Sequence, residues 1–76
     1  MILNLTDEQR DYVKITYNSD RFEANIGEND PILREYYSVE AMLQEFEENE
    51  IENADFDDQA HNMYRQGLES IAEGRA

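Results

Sequence analysis

Val13, Ile15 and Tyr17 alternate with Lys14 and Thr16, and after the polar break Asn18-Ser19-Asp20 the alternation resumes as Phe22, Ala24 and Ile26. Closing a turn around Ser19-Asp20 sets Tyr17 against Phe22, Ile15 against Ala24 and Val13 against Ile26, all on one face. A slip of one residue would throw every apolar side chain of a segment to the opposite face, so the pattern specifies a β-hairpin and its register together. The outer face then carries Thr16 opposite Glu23, with Lys14 diagonal to it.

Around this hairpin the remaining elements fall into order. Gly27-Glu28-Asn29-Asp30-Pro31 supplies a turn, and residues 32–37 read as a third strand that completes an antiparallel meander. Its alternation is broken, because Ile32 and Leu33 are adjacent and so are Tyr36 and Tyr37. A strand covered on both faces, or a short helical turn, fits as well. Ser38 is placed to cap a helix, with Tyr37 and Met42 at the spacing of a hydrophobic staple. Val39, Met42, Leu43 and Phe46 follow the i, i+3, i+4, i+7 rule of an amphipathic helix, and Asn49 stops it. A last helix is expected from near Asp55 to Gly74, its C-cap, with Phe56, Ala60, Met63, Tyr64, Gly67, Leu68 and Ile71 as one stripe. In residues 1–11, Thr6 and Gln9 offer a capping box for a short helix, while Ile2, Leu3 and Leu5 suit an edge strand equally. The expected fold is α+β: a short N-terminal element, a three-stranded antiparallel meander and two C-terminal helices packed on one face, as one domain over residues 1–76.

With 19 acids against 6 bases in 76 residues, the formal charge is −13. Direct nucleic-acid binding requires clustered Lys and Arg to neutralise phosphates, and an anionic membrane repels such a chain; neither is expected as a partner. No apolar run approaches the roughly 18 residues of a transmembrane helix, and the N-terminus lacks the basic and apolar regions of a signal peptide. Without cysteine there is neither a disulfide framework nor a thiolate metal site. The expected setting is the cytoplasm of a bacterial host cell.

The acids are unevenly spread. Within residues 40–58 stand Glu40, Glu45, Glu47, Glu48, Glu50, Glu52, Asp55, Asp57 and Asp58, with no Lys, Arg or His. On a helix of about 100° per residue counted from Val39, Glu40 and Glu47 fall near 80–100° and Glu48 and Glu45 near 180–240°. All four are therefore expected to face solvent, and the acids that follow extend the patch. Like charges this close repel one another, and a surface serving only solubility intersperses Lys and Arg. The composition suits a face that meets a basic groove, its carboxylates standing in for phosphates that recur every ~3.4 Å along a DNA strand. Tyr12, Tyr36 and Tyr37 read first as ordinary half-buried sheet aromatics; if one or two of them anchor such an interface, Tyr36, beside the capped helix, is the candidate. A solvated face that only keeps the domain soluble is the bland alternative.

The helix Ser38-Val39-Glu40-Ala41-Met42-Leu43-Gln44-Glu45-Phe46, the acidic link to Asp58 and the helix containing Tyr64 cover about half the chain. In this order, after a meander, they resemble small phage-encoded DNA mimics, and among these the type II anti-CRISPR inhibitors that fill the PAM-reading groove of an RNA-guided nuclease. The resemblance is one of pattern and composition and carries over no single contact residue. It implies steric and electrostatic block of a basic nucleic-acid-binding protein, such as a CRISPR nuclease or a restriction enzyme, with no catalysis. A different class also fits: a non-enzymatic adapter or assembly protein that binds a basic partner through its acidic helix face, or a homodimer.

Enzymatic chemistry has little footing. The lone His61 has no nucleophile motif beside it, and the acids at 52–58 lack the spacing and turn glycine of a calcium loop. No glycine-rich phosphate loop is present. The expectation is a non-enzyme without cofactor or metal.

Overall fold

A computed structural model describes residues 2–74; Met1, Arg75 and Ala76 lie outside the described residues. The elements are α1 (Asp7–Asp11), β1 (Val13–Asn18), β2 (Arg21–Ile26), β3 (Ile32–Tyr36), α2 (Val39–Glu48), β4 (Ala54–Phe56) and α3 (Asp58–Ala72). The strands form one sheet in the order β3-β2-β1-β4.

The hairpin adopts the register its alternation demands: Val13 with Ile26, Ile15 with Ala24 and Tyr17 with Phe22. Ser19 turns the chain with φ +62°, the sign that the first position of a type II′ hairpin turn requires. The Tyr17 and Phe22 rings meet edge to face at 5.0 Å. In β3 the pleat settles what the sequence left open. Pairing of Ile32 with Ile26, Arg34 with Ala24 and Tyr36 with Phe22 turns those three residues toward the core. Leu33 and Tyr37 are correspondingly 71% and 68% exposed. With Met42 fully buried and Tyr37 on the outer side, the expected staple between them does not form.

Two differences from the sequence reading concern the last segment. Ala54–Phe56 is not the first turn of the last helix but a fourth strand, parallel to β1. The hairpin leaves one edge of β1 open, and the Asp57 amide donates to the Ile15 carbonyl at 3.0 Å, closing that edge. The helix starts only at Asp58, with the Asp57 carboxylate accepting from the Ala60 amide at 2.8 Å. Phe56 fitted the helical stripe because its ring stacks on Tyr64 of α3, centroids 4.7 Å apart. At the other end Glu73 is the cap, and Gly74, at φ +76°, is the left-handed residue after it.

Both long helices cover one face of the sheet, over a core that includes Val13, Ile15, Ile26, Met42 and Ala60. They touch at Gly67, where a Cβ would stand 2.2 Å from Val39 Cγ2, so glycine permits the contact. The Thr6–Gln9 capping box is formed and begins α1; residues 2–6 are not a strand. The outer face of the sheet carries Lys14, Glu23, Leu33 and Glu35, and among the described residues no element covers it.

Candidate functional site

Ser38 caps α2 as expected, accepting from the Ala41 amide at 3.1 Å. The helix stripe, however, is rolled relative to its apolar residues. Val39, Met42, Glu45, Phe46 and the cap residue Asn49 are buried, while Leu43 is only half-buried. Glu45, expected to face solvent, is 8% exposed. Its carboxylate accepts from Arg34 Nε at 2.6 Å and Nη2 at 3.0 Å, a bidentate pair, and from the Tyr36 hydroxyl at 3.2 Å. Tyr36, the expected interface aromatic, is 3% exposed and cannot anchor a partner. The cause lies in β3. Register turns Arg34 toward the core, where its guanidinium needs a carboxylate, and Glu45 flanks the apolar stripe on that side. Desolvation pushes the Glu45 carboxyl up, but the Arg34 hydrogen bond and charge outweigh it and hold it below the usual carboxylate range. Burial, with the neighbouring carboxylate, raises the Tyr36 phenol far above its ordinary value. Glu45 and Tyr36 therefore join α2 to β3 and are removed from the candidate interface.

The other eight acids are all exposed: Glu40, Glu47, Glu48, Glu50, Glu52, Asp55, Asp57 and Asp58. They are not one cluster. Glu40 stands in the first turn of α2, beside an apolar groove of about 410 Å³ between Tyr17, Tyr37, Val39, Met63 and Ile71. Glu47 and Glu48 are at the opposite end, about two turns or ~10 Å along the helix. From there Glu50 and Glu52 lead to Asp55 on the edge strand β4 and to Asp57 and Asp58 at the start of α3. Asp57 also caps that helix.

The fold adds two acids that sequence reading did not include. Asp7 and Asp11 of α1 share a recess of about 400 Å³ with Glu50, Glu52 and Arg10. Arg10 is paired to Asp7 and donates to the Leu5 carbonyl. The capping box located α1, but nothing local says that it lands beside a segment some forty residues away. A second recess, about 380 Å³, lies between α2 and α3 with Leu43, Phe56 and Tyr64 on its walls and Glu47 and Glu52 on its lining. The recess thus has an apolar floor of Leu43, Phe56 and Tyr64 within an acidic rim of Glu47 and Glu52.

Several of these acids stand where they cost stability. The last turn of α2 has no basic residue, although the negative end of the helix dipole favours cations. Glu50 follows the cap Asn49 with φ +56°, a left-handed position where glycine is preferred. The turn is a complete Schellman motif: the Glu50 amide donates to the Glu47 carbonyl at 3.3 Å and that of Ile51 to Phe46 at 2.8 Å. A charged L-residue thus sits at the one position of the motif that glycine fills most easily. Among the described residues no three His, Cys, Asp or Glu side chains converge on a possible metal position, so the carboxylates are spread along the surface. Compared with known proteins, the chain matches no family model, no curated protein and no solved structure.

Proposed function

We propose that the protein inhibits a basic nucleic-acid-binding protein by presenting the exposed acids of α2, the 49–53 link, β4 and α3 in place of nucleic-acid phosphates. The observation that carries the reading is Glu50, a carboxylate at a left-handed helix terminus within a stretch, residues 38–58, that has no Lys, Arg or His. Residues held in sparsely populated backbone regions cluster at functional sites, where the strain is retained against a local cost. The backbone of α2 and β4 fixes the carboxylates from Glu47 to Asp55 relative to one another, which lowers the ordering cost on binding. The recess floored by Phe56 and Tyr64 suits the aliphatic stem of an Arg or Lys whose head pairs with Glu47 or Glu52. In its most specific form the target is an RNA-guided nuclease and the site blocked is its PAM-duplex groove, as the pattern of the sequence suggests.

The test is capture of partners from bacterial lysate on immobilised protein at about 0.1 M and about 0.5 M salt, where screening lengths differ about twofold. It is run with and without excess duplex DNA. A basic nucleic-acid-binding protein held at low salt and displaced by DNA is the expected result. The triple variant Glu47→Lys, Glu52→Lys, Asp55→Lys is expected to lose it while melting at the wild-type temperature or above. A partner that stays bound alongside its DNA replaces mimicry with the adapter reading. Retention by the triple variant shows the acids to be a solvated face.

A further inference from the structure

We infer that the β3 edge of the sheet is a self-association surface, taking a second copy of this chain in antiparallel strand pairing. The two edges of the sheet are treated differently. β4 is three residues long with Asp55 at its centre, the short charged kind of edge that discourages pairing. β3 is five residues long, and its two charges are turned back into its own protomer. Arg34 is held by Glu45, and the half-exposed Glu35 by Arg21, so each charge already has a partner within its own protomer. Beside them stand Leu33, on the outer face, and Tyr37, the residue that follows the strand at the same edge, 71% and 68% exposed.

These residues are spaced for self-pairing. Antiparallel partners share a face, so a two-fold axis must pass through a residue position. With the axis at Glu35 and β3 extended by one residue on pairing, Leu33 of each copy lies opposite Tyr37 of the other, and Arg34 opposite Tyr36. The Leu33–Tyr37 pair then forms twice, once on each side of the axis. An axis at Arg34 instead opposes arginine to arginine and Leu33 to Glu35, and an axis at Leu33 leaves Tyr37 uncovered. The one unfavourable pair in the preferred register is Glu35 with its own copy, each carboxylate already beside its own Arg21. The charge distribution allows the approach. β4 and its acids are three strand spacings away, about 14 Å, so the two β4 edges of a dimer stand about 34 Å apart, beyond a screening length of about 8 Å. Both copies keep that edge free, and the pairing is independent of what the acidic face binds.

Sedimentation velocity over a concentration series, at low and high salt, tests the inference. A dimer is expected whose fraction rises with concentration and also with salt, which screens the −13 charge of each copy; salt acts in the opposite sense on a basic partner. Leu33→Lys and Tyr37→Lys, both at exposed positions, are each expected to weaken association at least about tenfold, roughly 1.4 kcal/mol, with the circular dichroism spectrum and melting temperature kept. Glu35→Gln strengthens it, and Ile2→Lys, at an exposed apolar residue off the sheet, leaves it unchanged. Amide exchange slows in β3 on dimerisation. A protein that stays monomeric at the highest concentration and salt, or a dimer that survives both lysine variants, overturns the inference.

Discussion

Replacing Glu50 by glycine isolates the link between strain and function. At φ +56° an L-residue carries about 1–2 kcal/mol of steric strain that glycine does not. The carboxylate also stands just beyond the C-terminal end of α2, where the macrodipole disfavours an anion by about 0.3–1 kcal/mol. Against these, glycine gains freedom in the unfolded chain worth about 0.4–1 kcal/mol. The balance is a stabilisation of about 1–2 kcal/mol. For a domain of this size each kcal/mol moves Tm by about 4–8 °C, so differential scanning calorimetry resolves the effect. Glu50→Ala separates the contributions: alanine removes the charge and keeps the strain, so the gain from Ala to Gly measures the backbone alone. Both variants are expected to bind the captured partner more weakly. A Glu50→Gly protein that melts at or below the wild-type temperature refutes the reasoning, because the side chain then makes a stabilising contact that exceeds the strain.

Two further perturbations examine the packing beneath the acidic face. Glu45→Ala removes a bidentate charge-assisted pair and leaves the Tyr36 hydroxyl without its acceptor, a loss of about 2–3 kcal/mol in urea unfolding. Because the folded-state pKa of Glu45 is lowered, its contribution is complete above the ordinary carboxylate range and is lost as pH falls through the lower folded value; the variant should show a flatter acid limb of stability against pH. Gly67→Ala sets two effects in opposition. Helix propensity favours alanine by about 1 kcal/mol, but a Cβ at 2.2 Å from Val39 Cγ2 overpacks the α2–α3 contact by about 1–3 kcal/mol. Net destabilisation is expected, partly relieved by Val39→Ala in a double-mutant cycle; a more stable Gly67→Ala would show that the helices do not meet there.

How much was legible in the sequence depended on how local its cause was. The hairpin register, the Ser38 cap, the Thr6–Gln9 capping box and the body of α2 are set by residues within a few positions of one another, and periodicity or capping chemistry states them outright. The uneven charge was equally open to reading, since it needs no coordinates. What failed rested on contacts between distant segments. β4 has three residues, too few to show alternation, and it exists because β1 has an open edge. Asp7 and Asp11 join the acidic surface only because α1 settles against the 49–53 link.

Glu45 and Tyr36 show the same division within single residues. A helical wheel places Glu45 on the polar side, and a tyrosine pair next to a cap looks like an exposed anchor. Register in β3 turned Arg34 toward the helix side, and there its half-buried guanidinium pairs with Glu45. The sequence by itself determined the hairpin and its register, the body of α2 and where the charge lies, because those follow from neighbouring side chains and the backbone. Tertiary structure alone decided which carboxylates are buried as structural partners and which remain at the surface, because desolvation and ion pairing depend on what the rest of the chain brings alongside.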